Sequence, residues 1–414
     1  MASFNNQFVQ PAGMKKWGMG LTALGALALL GGLAFLAFSD DEHSKTRFWA
    51  VLLHNSVYFL LVVNAAMFFL CATTLAWAGF TQSFGRVTEA ISTLVIPFGI
   101  LAFIVLMCLV YGHQHHIYHW VDSEHVAGDK ILLGKSGFLN PTFFTIWTVI
   151  TIGGWIFLGR NMRKISREAD ESPMETEFAR KWIFKNTVNA AFYIVLFALT
   201  VASTIPWLWL MSIDAHWYST MYSWYTFAST FVSGLSLIAI FVIYLKNQGQ
   251  LEYVNDEHLH DLGKFMFAFS IFWAYLWFSQ YMLIWYSNQP EETRYFIDRI
   301  GTAEKGGPYR GLFFLNLILN FLAPLLLMMK KAPKRNWTAM MFLSIMIVFG
   351  HWIDFYQMVM PGALHEHAEM NFFEFGIAAL FIGIIMWGVG RYISKNSLLA
   401  SNHPYIKESM IHHT

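Results

Sequence analysis

The side chains that could do chemistry in this sequence are ionisable residues inside long apolar segments. His351 and Asp354 lie three residues apart, so a helix places both on one face. Ionisable groups within a membrane span are costly to insert and usually serve a function, and an imidazole beside a carboxylate can pass a proton. The pair therefore predicts proton transfer. An inward-facing, hydrogen-bonded pair that only fixes helix packing is the alternative interpretation.

Other polar residues near the ends of the apolar segments fall into two groups, one towards each side of the membrane. The groups resemble two halves of a proton path, separated by the apolar centre of the spans. Proton conduction requires such relays, with side chains of suitable pKa joined by water. Charged residues are also common at helix starts, so snorkelling is the competing interpretation of the two lysines. Besides His351 and Asp354, the predicted proton pathway contains His54 and Glu374 in the same half, and Glu89, Lys185, His258, Asp261 and Lys264 in the other.

Histidine clusters at 113–119 and 365–369 raise the question of a metal or haem. A haem with two histidine ligands needs them at matching depth on facing helices, and a zinc site needs three or four converging ligands. The two cysteines, Cys71 and Cys108, lie inside apolar runs and form no CxxC or CxxCH motif. We therefore predict no metal site and no cofactor bound by this chain, and we interpret the cluster at 113–119 as a hydrated helix end.

The elements that must position these residues are membrane-spanning helices. Hydrophobic residues make up 56% of the 414-residue chain and charged residues 13%, which is too apolar for a soluble fold. A helix needs about 20 mostly apolar residues to cross a bilayer, and continuous runs of this length indicate helices and not a β-barrel. We predict an all-α integral membrane protein with about ten transmembrane helices, at 17–38, 49–77, 88–111, 141–159, 186–209, 218–245, 263–286, 311–329, 338–360 and 371–392.

The connections between these helices predict orientation and exclude some partners. Lys and Arg are more numerous in the connections on the side of the two chain termini, so both termini are expected to be cytoplasmic. The segment 160–181 alternates in charge and is expected to form a separate short surface helix. No connection is long enough for a catalytic domain. The formal net charge is +1 without a basic patch, so nucleic acid is not an expected partner.

Four segments are long and chemically unusual: PWLWLMSIDAHWYST at 206–220, HLHDLGKF at 258–265, FWAYLWFSQY at 272–281 and NQPEET at 288–293. They resemble the ActF membrane subunits of alternative complex III, a bacterial quinol:cytochrome c oxidoreductase. The resemblance covers nearly the whole chain and is densest between about 200 and 295. It implies a fold of the NrfD or PsrC type, in which two four-helix bundles lie side by side with peripheral helices.

This fold divides the chain into four parts. They are the N-terminus with the first helix (1–43), a bundle of helices two to five (44–209), a bundle of helices six to nine (210–360), and the tenth helix with a cytoplasmic tail (361–414). Helices two to five and six to nine would enter the membrane with the same orientation, as in a parallel repeat.

The resemblance also implies a place in a respiratory complex. Quinol would be oxidised at an ActC-like membrane subunit, near iron-sulfur clusters of an ActB-like subunit. Electrons would leave through c-type cytochrome subunits that carry haems, to cytochrome c or another high-potential acceptor. A terminal oxidase is a further candidate partner. The ActF-like subunit would have no redox centre and no catalytic residue of its own, and would conduct protons and scaffold the complex among the lipids of the bacterial inner membrane.

Two alternatives differ in what this chain binds. As a direct quinol-binding subunit, it would use His54, His351 or Asp354 to accept a hydroxyl proton. As a secondary transporter, it would show inverted repeats and helices broken near the midplane, but a simple proline kink is an adequate interpretation of Pro97 and Pro324. A structural role is a further possibility, because the glycine-rich first helix predicts close packing against another helix, within this chain or in a partner.

Overall fold

The computed structural model describes residues 10–38, 41–112, 116–171, 175–302, 304–367 and 370–413. Within these ranges the chain is helical and contains no strand beyond one isolated bridge between Gly301 and Gly306. Ten of the helices described are long and apolar enough to cross a membrane, so the predicted all-α membrane architecture is confirmed. In order, spans 1 to 10 are Ala12–Phe38, Glu42–Leu75, Gly85–Tyr111, Pro141–Asp170, Thr176–Trp209, Met221–Asn247, Asp256–Ser287, Arg310–Met328, Trp337–Leu364 and Phe372–Ile393.

Several spans extend beyond their apolar runs, because hydropathy marks only the part in the hydrocarbon and the helix continues until a capping residue. Asp41 caps span 2 by accepting from the backbone N–H groups of His43 and Ser44. The separate surface helix predicted at 160–181 is wrong. The helix of span 4 continues to Glu171, and the helix of span 5 begins at Thr176, since Arg, Lys, Met and Glu in this segment are good helix formers.

The spans pack as two groups of four. Spans 2 to 5 contact their neighbours in a closed ring, as do spans 6 to 9. The two bundles meet through spans 2, 3 and 5 on one side and spans 6 and 9 on the other. Spans 1 and 10 pair on the outside, against spans 2 and 3. The predicted two bundles with peripheral helices are therefore confirmed, whereas the division of the chain at 44, 210 and 361 into separate units stays a prediction.

Each span runs opposite to the one before it, so the protein has two faces. We call the side with residues 116–140, 210–220, 288–302, 304–309 and 365–367 the loop face. We call the side with residues 76–84, 248–255, 329–336 and 394–413 the tail face.

Glycines bring spans 1 and 10 into close antiparallel contact. A Cβ atom added to Gly25 would lie 2.4 Å from the backbone N of Leu380, and one added to Gly383 would lie 2.5 Å from the backbone N of Thr22. Small residues at such contacts let helix backbones approach in a membrane. The glycine-rich first span therefore packs within this chain. Gly20, by contrast, has no atom within 4 Å of an added Cβ.

We expect Gly25→Ala to destabilise the protein relative to Gly20→Ala. Both changes replace a glycine inside the same helix, so their effects on helix propensity match, but only the first forces spans 1 and 10 apart. Overpacking of this kind costs about 1–3 kcal/mol. Thermal unfolding in detergent, followed by tryptophan fluorescence, measures the difference. Equal midpoints for the two variants would contradict the close packing.

Residues 394–413 lie across the tail face and bind several connections there. The Ser409 hydroxyl donates to the carbonyl of Phe80 at 2.8 Å, the ring N–H of His412 donates to Asp261 at 2.6 Å, and Asn402 donates to the carbonyl of Asp170 at 3.4 Å. The tail thereby joins the ends of spans 2, 4 and 7.

His403 makes the docking of this tail sensitive to acid. Its ring packs edge-on against Trp182 with 5.1 Å between centroids, and its Nδ1 accepts the N–H of Tyr405 at 3.2 Å. Burial lowers the pKa of His403 from 6.5 to about 4, and the nearby Arg86 charge acts in the same direction. A depressed histidine pKa stabilises the docked tail above about pH 6.5, and this stabilisation is lost as the pH falls towards 4.

We expect hydrogen exchange in residues 394–413 to accelerate between pH 7 and pH 5, after correction for the intrinsic pH dependence. His403→Phe keeps the aromatic packing but cannot be protonated, so it is the matched control and should show a smaller change over this range. The same acid-induced loss of protection in both proteins would exclude His403 as its cause.

Candidate functional site

Four spans of the second bundle converge on the buried carboxylate of Asp354 in span 9. The hydroxyl of Tyr225 from span 6 donates to Oδ1, Asn316 from span 8 donates to the same oxygen at 2.7 Å, and the indole N–H of Trp273 from span 7 donates to Oδ2 at 2.9 Å. Asp354 is fully buried. A buried carboxylate needs such donors, and the aromatic donors combine an apolar ring with one polar group.

His351 lies beside this carboxylate on the same face of span 9, as predicted. Its Nδ1 is 2.9 Å from the hydroxyl of Ser229 and 3.7 Å from Oδ2 of Asp354. Its Nε2 is buried and has no hydrogen-bond partner among the described residues. The imidazole thus has one nitrogen engaged near the carboxylate and a second nitrogen available to a water molecule or a proton.

Two asparagines extend the network along span 8. Asn320 donates to the side-chain oxygen of Asn316 at 2.5 Å, and its own side-chain oxygen has no partner in the described part of the chain. Asn320 lies in a π-helical turn, Ile318–Leu322, followed by Pro324. The proline has no N–H for the carbonyl four residues earlier, and π-turns of this kind often occur at functional sites. Gly350 leaves room for Asn320.

A small cavity lies between this network and the loop face. It has a volume of about 20 Å³ and is lined by Tyr225, Asn316, Gln357 and Arg299, among others. A water molecule needs roughly 10–15 Å³, whereas ligand sites usually measure about 300–1,000 Å³. The side-chain oxygen of Gln357 has no partner in the part of the chain described. The cavity therefore suits water that joins Gln357 to Tyr225, and is too small for a quinol ring.

The structure does not bring His54 into this cluster. His54 is buried in span 2, and its Nε2–H donates to the backbone carbonyl of Trp352 at 2.9 Å. The indole of Trp352 donates in return to Asn55 at 2.9 Å. These bonds fix span 2 against span 9, so they join the two bundles at the depth of the cluster.

Glu374 is also held apart, in an ion pair with Arg47. The arginine donates to Oε1 from Nη2 at 2.7 Å and from Nε at 3.1 Å, and the backbone N–H of Asn371 donates to Oε2 at 2.9 Å. Glu374 is fully buried. These contacts join the start of span 10 to span 2.

The tail-face residues form separate groups. Glu89 accepts from Arg86 at 3.1 Å and from the hydroxyl of Ser166. Lys185 binds both oxygens of Glu168 at 2.8 Å and is half-exposed.

The three predicted residues in span 7 do lie together. Asp261 pairs with Lys264 at 2.6 Å and with His412 of the tail at 2.6 Å. His258 is a capping residue: its ring nitrogen accepts the N–H of Asn255 at 3.2 Å. Asp261, Lys264 and His412 give the tail face a polar cluster to which the C-terminal tail contributes.

Sequence reasoning missed four residues of the Asp354 network: Ser229, Trp273, Asn316 and Asn320. The two asparagines carried a usable signal, because they are polar, four residues apart and inside an apolar span. Trp273 lies in the unusual segment 272–281, but no local pattern singled it out, since aromatic residues are frequent throughout the spans.

The structure described contains no group of three or more His, Cys, Asp or Glu side chains arranged to hold a metal ion. On the loop face, the rings of His43 and His367 approach to 4.3 Å between centroids. His113, His115 and Glu369, which belong to the two histidine-rich segments, lie outside the described residues.

Comparison of the sequence with models of protein families gave no match, and comparison with curated proteins gave none either. The geometry of the site and the resemblance of the four segments are therefore the grounds on which a function can be proposed.

Proposed function

We propose that this chain is a membrane subunit of a respiratory quinol:cytochrome c oxidoreductase complex, in which it conducts protons and scaffolds its neighbours. In this proposal it resides in the bacterial inner membrane with both termini cytoplasmic, and holds no redox centre. ActC-like, ActB-like and c-type cytochrome subunits carry the quinol site, the iron-sulfur clusters and the haems.

The observation that carries the proposal is the fully buried Asp354 carboxylate, with His351 beside it and a water-sized cavity next to it. Tyr225 both donates to Asp354 and lines the cavity. A hydroxyl in this position can accept a proton from water while it passes its own to the carboxylate. Asp354, Tyr225 and the cavity thus supply a carrier, a relay and a place for water.

Span 6 offers a route from His351 towards the tail face. Thr226, Thr230, Ser233 and Ser236 are buried and donate to carbonyls one turn earlier, and a hydroxyl that donates keeps lone pairs that can accept a hydrogen bond. Ser229 differs, because its hydroxyl bonds to His351. Ser229, Ser233 and Ser236 therefore line up below the imidazole.

One of the segments that resemble ActF-like subunits supplies residues around this site. The segment 272–281 contains Trp273, which binds Asp354, and Trp277 and Gln280, which line the cavity. This segment of the resemblance thus lies beside the buried acid. The size of the cavity favours proton conduction over direct binding of quinol at Asp354.

Purification of the full chain from its native membrane, with the partners that bind it, tests the proposal. We expect the preparation to reduce cytochrome c with quinol, to contain haem and iron-sulfur signals, and to release protons from liposomes during turnover. A preparation without quinol oxidation would overturn the assignment to this complex. Turnover without proton release would overturn the proton-conducting role and favour a scaffold.

A further inference from the structure

On the loop-face side of Asp354, a thin wall separates two spaces of different size. The inner one is the cavity of about 20 Å³ next to Tyr225. The outer one is a more open vestibule of about 300 Å³, lined by Asp214 and Trp217 among others. Tyr295 lines both spaces and stacks on Trp217 with 3.9 Å between ring centroids. The aromatic pair is therefore part of the wall.

A buried arginine fixes the inner side of this wall. The guanidinium of Arg299 donates to the carbonyl of Tyr295 at 2.6 Å and twice to the carbonyl of Gln357, at 3.0 and 3.2 Å. It also lies 3.3 Å above the centre of the Tyr295 ring. Arg299 lines the inner cavity and not the vestibule. A permanent positive charge in a narrow passage repels other cations, so a hydrated proton cannot easily pass it.

A carboxylate stands on the other side of the same wall. Oδ2 of Asp214 is 4.0 Å from Nη2 of Arg299, and its side chain is 27% exposed and lines the vestibule. Gly362 leaves the space that Asp214 occupies, because a Cβ there would lie 2.9 Å from Oδ1. Burial raises the pKa of Asp214, and the Arg299 charge partly offsets this effect. Asp298, Arg294 and His365 also influence this carboxylate.

We propose that the Arg299–Asp214 pair is the gate through which protons pass between the loop-face vestibule and the Asp354 cavity. This inference rests on the proposed proton-conducting function. The Asp214 carboxylate takes a proton from vestibule water and becomes neutral, which weakens its attraction to Arg299. The proton then leaves Asp214 for water in the inner cavity, next to Tyr225, and the ion pair forms again. The reverse sequence releases a proton to the vestibule.

The test compares variants of the full chain in its purified complex, reconstituted in liposomes with a pH-sensitive dye. Asp214→Asn removes the proton carrier and leaves the Arg299 charge uncompensated, so we expect proton release during turnover to slow by at least about tenfold. Glu291→Gln is the matched control, because it removes the same charge from the same vestibule but is not among the groups that influence Asp214. It should release protons at the unmodified rate.

A second variant tests the wall itself. Arg299→Lys keeps the positive charge but loses the planar fork that binds two carbonyls at once, so we expect a faster passive proton leak under an imposed membrane potential. If the pair is only structural, Asp214→Asn and Arg299→Lys should impair the protein in the same way. If it is a gate, Asp214→Asn slows proton release, whereas Arg299→Lys speeds the passive proton leak.

Asp354→Asn, measured in parallel, distinguishes failure of the proposed gate from failure of the proposed proton conduction. Slow proton release in both Asp354→Asn and Asp214→Asn supports the gate. Slow release in Asp354→Asn alone overturns the gate and leaves proton conduction in place. Unmodified release in both overturns proton conduction and the gate together.

Discussion

Asp354→Asn is expected to reduce proton release during turnover by about 100-fold or more, while quinol oxidation and cytochrome c reduction continue. Asparagine has nearly the same shape as aspartate and keeps an oxygen for its donors, but it cannot take up and release a proton at this position. The loss should therefore fall on transport and not on electron transfer, because the redox centres are expected to lie in other subunits. The measurement is the number of protons released per electron transferred.

The same substitution has a structural cost that the experiment must separate. Tyr225, Trp273 and Asn316 all donate hydrogen bonds to Asp354, and the amide NH₂ of an asparagine cannot accept from them. Each buried donor left without an acceptor lowers the free energy of unfolding by about 1–3 kcal/mol. Thermal unfolding of the complex shows whether it stays intact. If the complex is intact and both proton release and quinol oxidation are unchanged, Asp354 has a structural role. If the complex is intact and both activities are lost, Asp354 is coupled to quinol oxidation.

Glu374→Gln is expected to lower stability strongly, by about 3–5 kcal/mol, without changing the protons released per electron. The substitution removes the charge that Glu374 presents to Arg47 in a pair whose carboxylate is fully buried, and breaking one side of a buried pair has costs of this size. Denaturant unfolding of the purified protein measures the loss. Glu374→Gln is also a control for Asp354→Asn, since both neutralise a fully buried carboxylate.

The opposite result for Glu374 would be equally informative. A variant that keeps its stability but releases fewer protons would place Glu374 in the proton pathway, as its position in the sequence predicts. Arg47→Lys extends the test, because a lysine retains the charge but cannot donate from two nitrogens to the same carboxylate. It should lose part of the stability that Glu374→Gln loses.

The sequence predicts the spans and the His351–Asp354 pair well because both depend on residues close together in the chain. Hydropathy marks each span, and helical periodicity places two residues three apart on one face. The partners of these residues depend on tertiary contacts. Glu374 binds an arginine 327 residues away, and no local pattern distinguishes this pair from a proton carrier.

The ends of helices were harder to predict for a related reason. The segment after span 4 is charged, so hydropathy places it outside the membrane, yet its backbone continues the same helix to Glu171. Helix continuation depends on propensity and capping, which do not change at the hydrocarbon boundary. Likewise, Asp214 and Arg299 lie outside the apolar runs, where a rule about ionisable residues inside spans does not apply.

The pairing of spans 1 and 10 has a consequence for biosynthesis. Span 1 precedes span 10 in the chain, and proteins are made from the N-terminus onwards, so span 1 leaves the ribosome before span 10. The face of span 1 that contains Gly25 therefore lacks its partner, the face of span 10 that contains Gly383, while the two bundles are inserted. A chain that stops before span 10 would leave this glycine face open to lipid or to other newly made helices.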